Sequence, residues 1–423
     1  MTQLGEVFGI SASVPKHTYV DRAGLDRSFT YLVGQDRHLV IHGASKQGRT
    51  ILRKKNLPEE QCLVIQCGAS SNRDRIYLEI LRQLGSQIPT EVSRNLTLGS
   101  ELKSKVSGQL NLPLVASGTA EIEGGGNIER ESGIVFTPIG VDPGSLGYIT
   151  QEIKSSGKKI IIEDFHYLPE QEKINLAFDL KAFWDSRVFF MIIGIWADQS
   201  LLTYYNGDLS GRIEEIDIRW TVEELEQVLQ KGSRALNISF SLDIKQEILE
   251  DANQNVGLIQ RIAEKYCYEA GVYEQNWRTR VIEDQDALTR CRNAICREES
   301  VRYRLFDDVV SRGLRDSGKS ELKVYQRVVQ ICVEAPSQDL RDGISRADLL
   351  NRIQSYEPRI RLSDLSAALN KIDRLQAGRS ISPLILSYNP NTQKIQLVDR
   401  EFLFYRKYGN PSWSWQEMDD DIK

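Results

Sequence analysis

Residues Gly43 to Thr50 read GASKQGRT, the spacing G-x-x-x-x-G-R-T. Glycines at both ends let backbone N–H groups turn inward around phosphate oxygens, and a helix starting behind them adds its positive end. The pattern that cradles nucleotide phosphates carries Lys where this chain carries Arg49, followed by Ser or Thr. Ala44, Ser45, Lys46 and Gln47 would form the turn of the loop. Arg49 would face the β- and γ-phosphates, and Thr50 would offer a hydroxyl to Mg²⁺. Arginine keeps a permanent charge but is a planar fork where the loop usually wraps a slim ammonium, so binding is expected to survive the change better than hydrolysis. Lys46 is a second cation in the loop. The plain alternative is a glycine-rich turn that holds no ligand.

A second feature points to the same chemistry. Ile160 to Ile162 run into Glu163 and Asp164. An acidic pair ending a buried strand can hold Mg²⁺ and polarise the attacking water. The usual order is Asp then Glu. Here Glu163 takes the metal side and Asp164 the water side, one methylene short. An acidic strand end that merely meets solvent is the alternative.

Strands must deliver both features. HLVI (His38–Ile41) enters the loop, and TILRKKNL behind it has helical character. CLVIQC, the run before Glu163, RVFFMIIGIW and EEIDIR are four more buried-strand candidates. Helical patterns separate them, with apolar residues at Ile76, Ile80, Leu81 and Leu84, then around Leu146 to Lys154, then over Glu170 to Trp184. Strands alternating with helices predict an α/β parallel sheet covered on both faces, over residues 31–220. Residues 1–30 show little periodicity and are expected to lie on that first domain. Residues 90–136, rich in Gly, Ser and Thr, read as an inserted β-hairpin or loop.

After Trp220 the chain turns helical. Residues 221–320 give three amphipathic helices and a charged stretch with a hinge at Asp316 to Lys319, together a helical lid. Residues 321–410 give three helices and then a strand pair, the order of an α+β winged helix. Residues 411–423 are expected to form a solvated acidic tail. Its Trp413 and Trp415 would be either a docking peptide or a chain-end anchor.

Net charge is −5, so the whole chain is no basic nucleic-acid binder. Residues 321–410, however, hold 14 Lys and Arg against 10 Asp and Glu. Their third helix, Ser363 to Gln376, lies near Arg361, Lys371, Arg374 and Arg379, and Lys394 falls in the wing. This is compatible with phosphate contacts to double-stranded DNA. Asp364 and Asp373 on the same helix would repel phosphates, and such units also dock proteins. Tyr388 and Phe404 are expected to pack inside. Six scattered cysteines without CxxC spacing argue against zinc and disulfides and for a cytoplasmic protein. No apolar run reaches membrane-spanning length, and no signal peptide is evident. His166, beside the acidic pair, reads as structural rather than as a sensor of the site.

With both motifs placed, the chain resembles the AAA+ and STAND-like branch of P-loop NTPases. Its layout is closest to origin-recognition and transposition-helper ATPases, over roughly residues 20–410. Only Gly43, Gly48, Arg49, Thr50, Glu163 and Asp164 match specifically. The resemblance implies ATP and Mg²⁺ as cofactors. It implies a polar sensor after the fourth strand, at Asp198 or Gln199. It also implies an arginine acting on a neighbour's nucleotide, Arg212, hence a homo-oligomer, and a second arginine in the last lid helix, Arg261. Ordinary surface arginines or salt-bridge partners are the alternative for both. Members of this kind act as ATP-binding switches or assembly ATPases, in bacteria often in antiphage defence or mobile-element biology. The competing expectations are a degenerate scaffold that docks a partner effector through its winged helix without turnover, and a DNA-binding regulator in which nucleotide only sets oligomeric state.

Overall fold

The strand runs are apolar without interruption because each inner strand is covered on both faces. In β1 (His38–His42), Val40 enters one layer of helices while Leu39 and Ile41 enter the other. β3 (Lys159–Glu163) sends Ile160 and Ile162 to the first layer and Ile161 to the second. β4 (Phe190–Ile193) divides in the same way. With β2 (Cys62–Gln66) and β5 (Ile213–Asp217) they form a five-stranded parallel sheet in the order β2-β3-β4-β1-β5. On one face lie α1 (Leu25–Val33) and α2 (Arg49–Asn56), which contribute Phe29 and Leu52. On the other lie α3 (Arg73–Gln83), α4 (Leu146–Ser156) and α5 (Glu170–Asp185), with Ile80, Ile153 and Phe183 in the core.

The computed structural model describes residues 1–22, 24–68, 70–86, 146–196, 199–312, 323–379 and 381–416. The element expected within 90–136 and the hinge expected at 316–319 lie outside them. Among the described residues no helix is long and apolar enough to cross a membrane. All six cysteines are free and buried.

The helical unit expected as the lid, and called so below, is built from α6 (Val222–Leu236), α7 (Leu242–Asp251), α8 (Val256–Glu269) and the 28-residue α9 (Gln285–Arg312), with a small parallel pair, β6 (Ile238–Phe240) and β7 (Arg280–Ile282). The C-terminal unit follows the expected order. α10 (Val324–Glu334), α11 (Arg346–Gln354) and α12 (Leu362–Ala377) precede a hairpin of β9 (Leu386–Asn389) and β10 (Lys394–Leu397). β8 (Ile344–Ser345) completes a three-stranded antiparallel sheet, and α13 (Glu401–Tyr408) ends the unit.

Three expectations are corrected. Leu4, Val7 and Phe8 pack into the lid rather than on the sheet domain, because α6 and α8 offer the apolar surface they need. Phe8 fits so closely against Gly232 that a Cβ there would fall within 2.1 Å of its ring. The lid and the C-terminal unit share one core, in which Ile262, Phe306, Leu369 and Phe402 all take part. α9, roughly 42 Å long at 1.5 Å per residue, reaches across both. The tail is packed as far as Gln416. Trp413 and Trp415 stack at 5.1 Å, and Ser414 donates to Asp307 from its N–H (2.8 Å) and hydroxyl (2.9 Å). This is the chain-end anchor, made by the Trp413 ring, which meets Phe402 and Tyr405 and carries Trp415 stacked on it.

His38 opens β1 fully buried. Its Nδ1 accepts from the Phe190 N–H (3.0 Å), and its Nε2 therefore carries the proton given to the Leu180 carbonyl (2.9 Å). Burial lowers its pKa from 6.5 to about 4, the Leu180 bond pulling weakly the other way. A histidine depressed in the fold leaves stability intact above pH 6.5 and removes it as the pH falls toward 4. Between pH 7 and pH 5 this one group should cost about 2 kcal/mol. Urea unfolding at the two pH values should show native protein losing about that much more than His38→Gln, which cannot take up the proton. Equal losses would remove His38 as the cause.

Candidate nucleotide site

β1 delivers the loop and α2 receives it. Gly43 has φ +142°, and a Cβ there would lie 2.6 Å from the Ile218 carbonyl oxygen. Lys46 and Gly48 both sit at positive φ, 58° and 84°. These angles turn the chain so that α2 starts at Arg49. The N–H groups of Gly48, Arg49, Thr50 and Ile51 therefore have no partner within the helix and form an anion-binding end.

The carbonyls of the loop are all engaged. The Arg49 guanidinium bends back and donates to Gly43 O (2.7 Å) and Ala44 O. Asn255 Nδ2 donates to Ser45 O (3.0 Å), the Gly257 N–H to Lys46 O (3.1 Å) and Trp220 Nε1 to Gln47 O (3.0 Å). The lid thus holds the loop's shape from behind. Burial lowers the Arg49 pKa to about 10, while Asp164 and Glu163 favour its charged form, so it remains a cation at neutral pH. Arg49 is at the site as expected, but its fork binds the loop itself.

The acidic pair is also at the site. Asp164 stands at φ 57° and accepts from Gln66 Nε2 (2.9 Å). Glu163 is not a free metal ligand. Its Oε1 accepts from Arg53 Nη2 (3.1 Å) and Nε (3.3 Å), and the two side chains are only 3% and 11% exposed. Arg53 is on the second turn of α2, four residues after Arg49, and so shares its face. A cleft of about 680 Å³ opens between Thr50, Arg53, Gln66, Glu163 and Asp164, with Ser11 and Ala12 on its other wall. Mg²⁺ needs near-octahedral oxygens, one or two of them unshared carboxylates. Arg53 already holds Glu163 Oε1, so an ion between Thr50 and Glu163 would lie against a fixed guanidinium, and the expected pair fits that ion poorly.

The C-terminal unit reaches into the loop. The Ser45 N–H donates to the Val398 carbonyl (2.7 Å), and Lys46 Nζ meets Glu401 Oε2 at 2.6 Å. Glu401 is 1% exposed. Burial and the neighbouring charge of Asp399 raise its pKa, while Lys46 and Arg261 draw it down. Asp399 itself is held by Arg302 and by the Tyr303 hydroxyl (2.8 Å), and Arg400 donates to the Gln254 carbonyl (3.0 Å). Two polar groups of the loop, the Ser45 N–H and the Lys46 ammonium, are therefore spoken for.

The remaining expected residues divide. Arg261 belongs to a carboxylate cluster, at 2.6 Å from both Glu298 and Glu299 and 3.4 Å from Glu401. It touches the plug of the loop rather than the loop. Arg212 is not brought to the site within the chain. Its carbonyl accepts from the His38 N–H, so it stands at the start of β1, roughly 15 Å of strand from the loop. Its guanidinium lies 4.7 Å above the Trp184 ring. Asp198 lies outside the described residues and Gln199 is exposed. Trp196 fills the end of β4 instead, bridging to Gly43 and stacking on His42 at 5.6 Å. His166 is buried and neutral. Burial, then the charges of Arg49 and Lys173, lower its pKa well below the usual value, and its Nδ1 accepts from the Ile195 N–H. On α12, Asp373 does not oppose phosphates, because it turns inward to accept from the Ser387 hydroxyl (2.6 Å) and the Tyr388 N–H (3.1 Å). Asp364 caps the helix by accepting from the Arg361 N–H. Lys371 and Arg374 are exposed, and Tyr388 and Phe404 are buried.

Sequence reading missed Arg53 and Glu401. The four-residue step from Arg49 was a usable sign for Arg53. Nothing local marks Glu401, whose partner is 355 residues away.

No protein-family model matches the sequence, and no curated protein matches it. Among solved structures, a Walker-type ATPase of Pyrococcus abyssi aligns with a TM-score of 0.51 at 14% identity, over 95% of this chain and 99% of that one. The ORC1 protein of Aeropyrum pernix, solved in complex with DNA, gives 0.41 at 12% identity, over 96% and 95%. A STAND protein of Pyrococcus horikoshii with a tetratricopeptide repeat sensor gives 0.36 at 11%, over 98% of this chain and 45% of that one. The first likeness shows the fold, a parallel α/β sheet of the P-loop NTPase type.

Proposed function

We propose that this chain is an ATP-binding molecular switch or assembly ATPase in which nucleotide phosphate and the C-terminal unit compete for one loop. One observation carries the reading: Ser45 N–H and Lys46, two groups a phosphate would take, are bound to Val398 and Glu401. ATP brings a chain of negative phosphates. Gly48, Arg49, Thr50 and Ile51 would receive it with their N–H groups, and Lys46 with its ammonium once Glu401 lets go. Displacing residues 398–401 would loosen the C-terminal unit from the sheet domain.

The C-terminal unit reads as a winged helix. Its exposed Lys371 and Arg374 suit double-stranded DNA or an acidic partner effector. Arg212, away from its own loop, would serve the nucleotide of a second copy in a homo-oligomer. A place in antiphage defence or mobile-element biology rests on the motifs' resemblance to that family. A second reading, a nucleotide-binding scaffold without turnover, is favoured by the Arg53–Glu163 pair and the folded-back Arg49.

Hydrogen–deuterium exchange tests the switch. ATP should slow exchange over Ser45–Ile51 and speed it about tenfold over residues 398–408. Slowing at the loop with no change at 398–408 would leave a nucleotide site but no switch. No change at either place would sink the nucleotide reading.

A further inference from the structure

We propose that the Arg53 guanidinium takes the place of the divalent cation, so that this site binds a nucleoside polyphosphate as its metal-free anion. The inference rests on the nucleotide reading above and adds to it the form of the ligand.

The argument is one of charge and occupancy. In a site that uses a metal, the carboxylate at the strand end stays unshared and draws the ion in. Here the Glu163 carboxylate is already neutralised. Arg53 Nη2 and Nε both donate to its Oε1 at 3.1 and 3.3 Å, and the two side chains, 3% and 11% exposed, stand at the wall of the cleft. A mostly buried guanidinium that donates two hydrogen bonds to one carboxylate is not easily displaced, since freeing the carboxylate would strand a buried positive charge. Asp164 keeps one hydrogen bond from Gln66 and faces the charge of Arg49. Two guanidinium charges, Arg49 and Arg53, thus balance two carboxylates before any ligand arrives. An entering divalent ion would meet no net negative charge and would lie against two fixed cations. An entering polyphosphate, in contrast, meets the N–H groups that open α2 and, once Glu401 lets go, the Lys46 ammonium, with Glu163 and Asp164 already compensated so that they do not repel it. The cleft lined by Thr50, Arg53, Glu163 and Asp164 leaves room for it. The fixed guanidinium then supplies one part of what a magnesium ion supplies in a metal-dependent site, the screening of the strand-end acid from the phosphates.

The test is calorimetric titration of ATP into the full chain, native and Glu401→Ala, in excess magnesium chloride and in excess EDTA. The dissociation constant should differ by less than about threefold between the two conditions. Arg53→Gln frees Glu163 and should create a metal requirement, with affinity in EDTA at least about tenfold weaker than in magnesium. If Arg53→Gln does not fold, as judged by circular dichroism, Thr50→Val decides. In a metal-using site, losing the hydroxyl ligand weakens binding in magnesium alone. Here it should act equally in both conditions. A native chain that binds ATP in magnesium and loses about tenfold or more in EDTA overturns this inference and leaves the nucleotide site standing. Binding in neither condition, with native chain and Glu401→Ala alike, overturns the nucleotide reading and this inference together.

Discussion

Glu401→Ala should bind ATP at least about tenfold more tightly than the native chain, a gain of about 1.4 kcal/mol. The native loop spends its Lys46 on Glu401 and its Ser45 N–H on Val398. An exposed ion pair would be a weak competitor, worth less than about 1 kcal/mol. This one is stronger because Glu401 is buried, while Lys46 is 28% exposed on its side chain. Removing the carboxylate returns the ammonium to the loop and loosens the turn that carries Val398. Glu401→Gln keeps the shape and loses the charge, so its affinity should fall between the two. Calorimetric titration reads all three. An Ala variant that binds no better than native, while its melting curve shows a folded chain, would mean that the C-terminal contact does not compete with phosphate. The same substitution should weaken the fold, since Arg261 loses one of three carboxylates and Asp399 remains beside the vacated place.

Arg49 gives the second large effect. Arg49→Ala removes a cation from the loop together with its bonds to the Gly43 and Ala44 carbonyls, and should weaken ATP binding between about 10- and 100-fold, the usual loss for a charged hydrogen-bond partner. Arg49→Lys keeps the charge and should bind within about threefold of native. Turnover separates two ideas. If the arginine fork were the only brake, Arg49→Lys by itself would hydrolyse ATP. With Arg53 still bound to Glu163, we expect kcat to stay at the native level in the single variant. It should rise at least about tenfold only in Arg49→Lys with Arg53→Gln, in magnesium. A fast Arg49→Lys chain would show that Glu163 is free enough to work and would refute the role given to Arg53. Arg49→Ala binding as well as native would remove the arginine from the site altogether.

The sheet domain was legible because its signals are local. Apolar runs of strand length, helical stripes between them and a glycine spacing with strand before and helix after are each contained within a few residues. Gly43 and Gly48 declare their role in the sequence because their backbone angles admit little else. The helix order of the C-terminal unit followed from periodicity in the same way. Legibility failed where an apolar segment had two surfaces to choose between. Leu4, Val7 and Phe8 were as fit for the sheet as for the lid, and only the cleft beside Gly232 selected the lid. The tail's acidic end hid the stacking of Trp413 on Trp415.

The sequence by itself determined a P-loop, an acidic strand end and the sheet that brings them together, since short-range patterns specify strands, helices and turns. Only the tertiary structure decided what those groups are free to do. Glu163 and Arg53 are 110 residues apart, and Lys46 and Glu401 are 355 apart. A charge's partner depends on which long-range neighbour the packed core carries to it, and no local pattern encodes that distance. The same residue types, read alone, describe a site open to metal and nucleotide. Folded, they describe one whose acid is already paired and whose loop is already held.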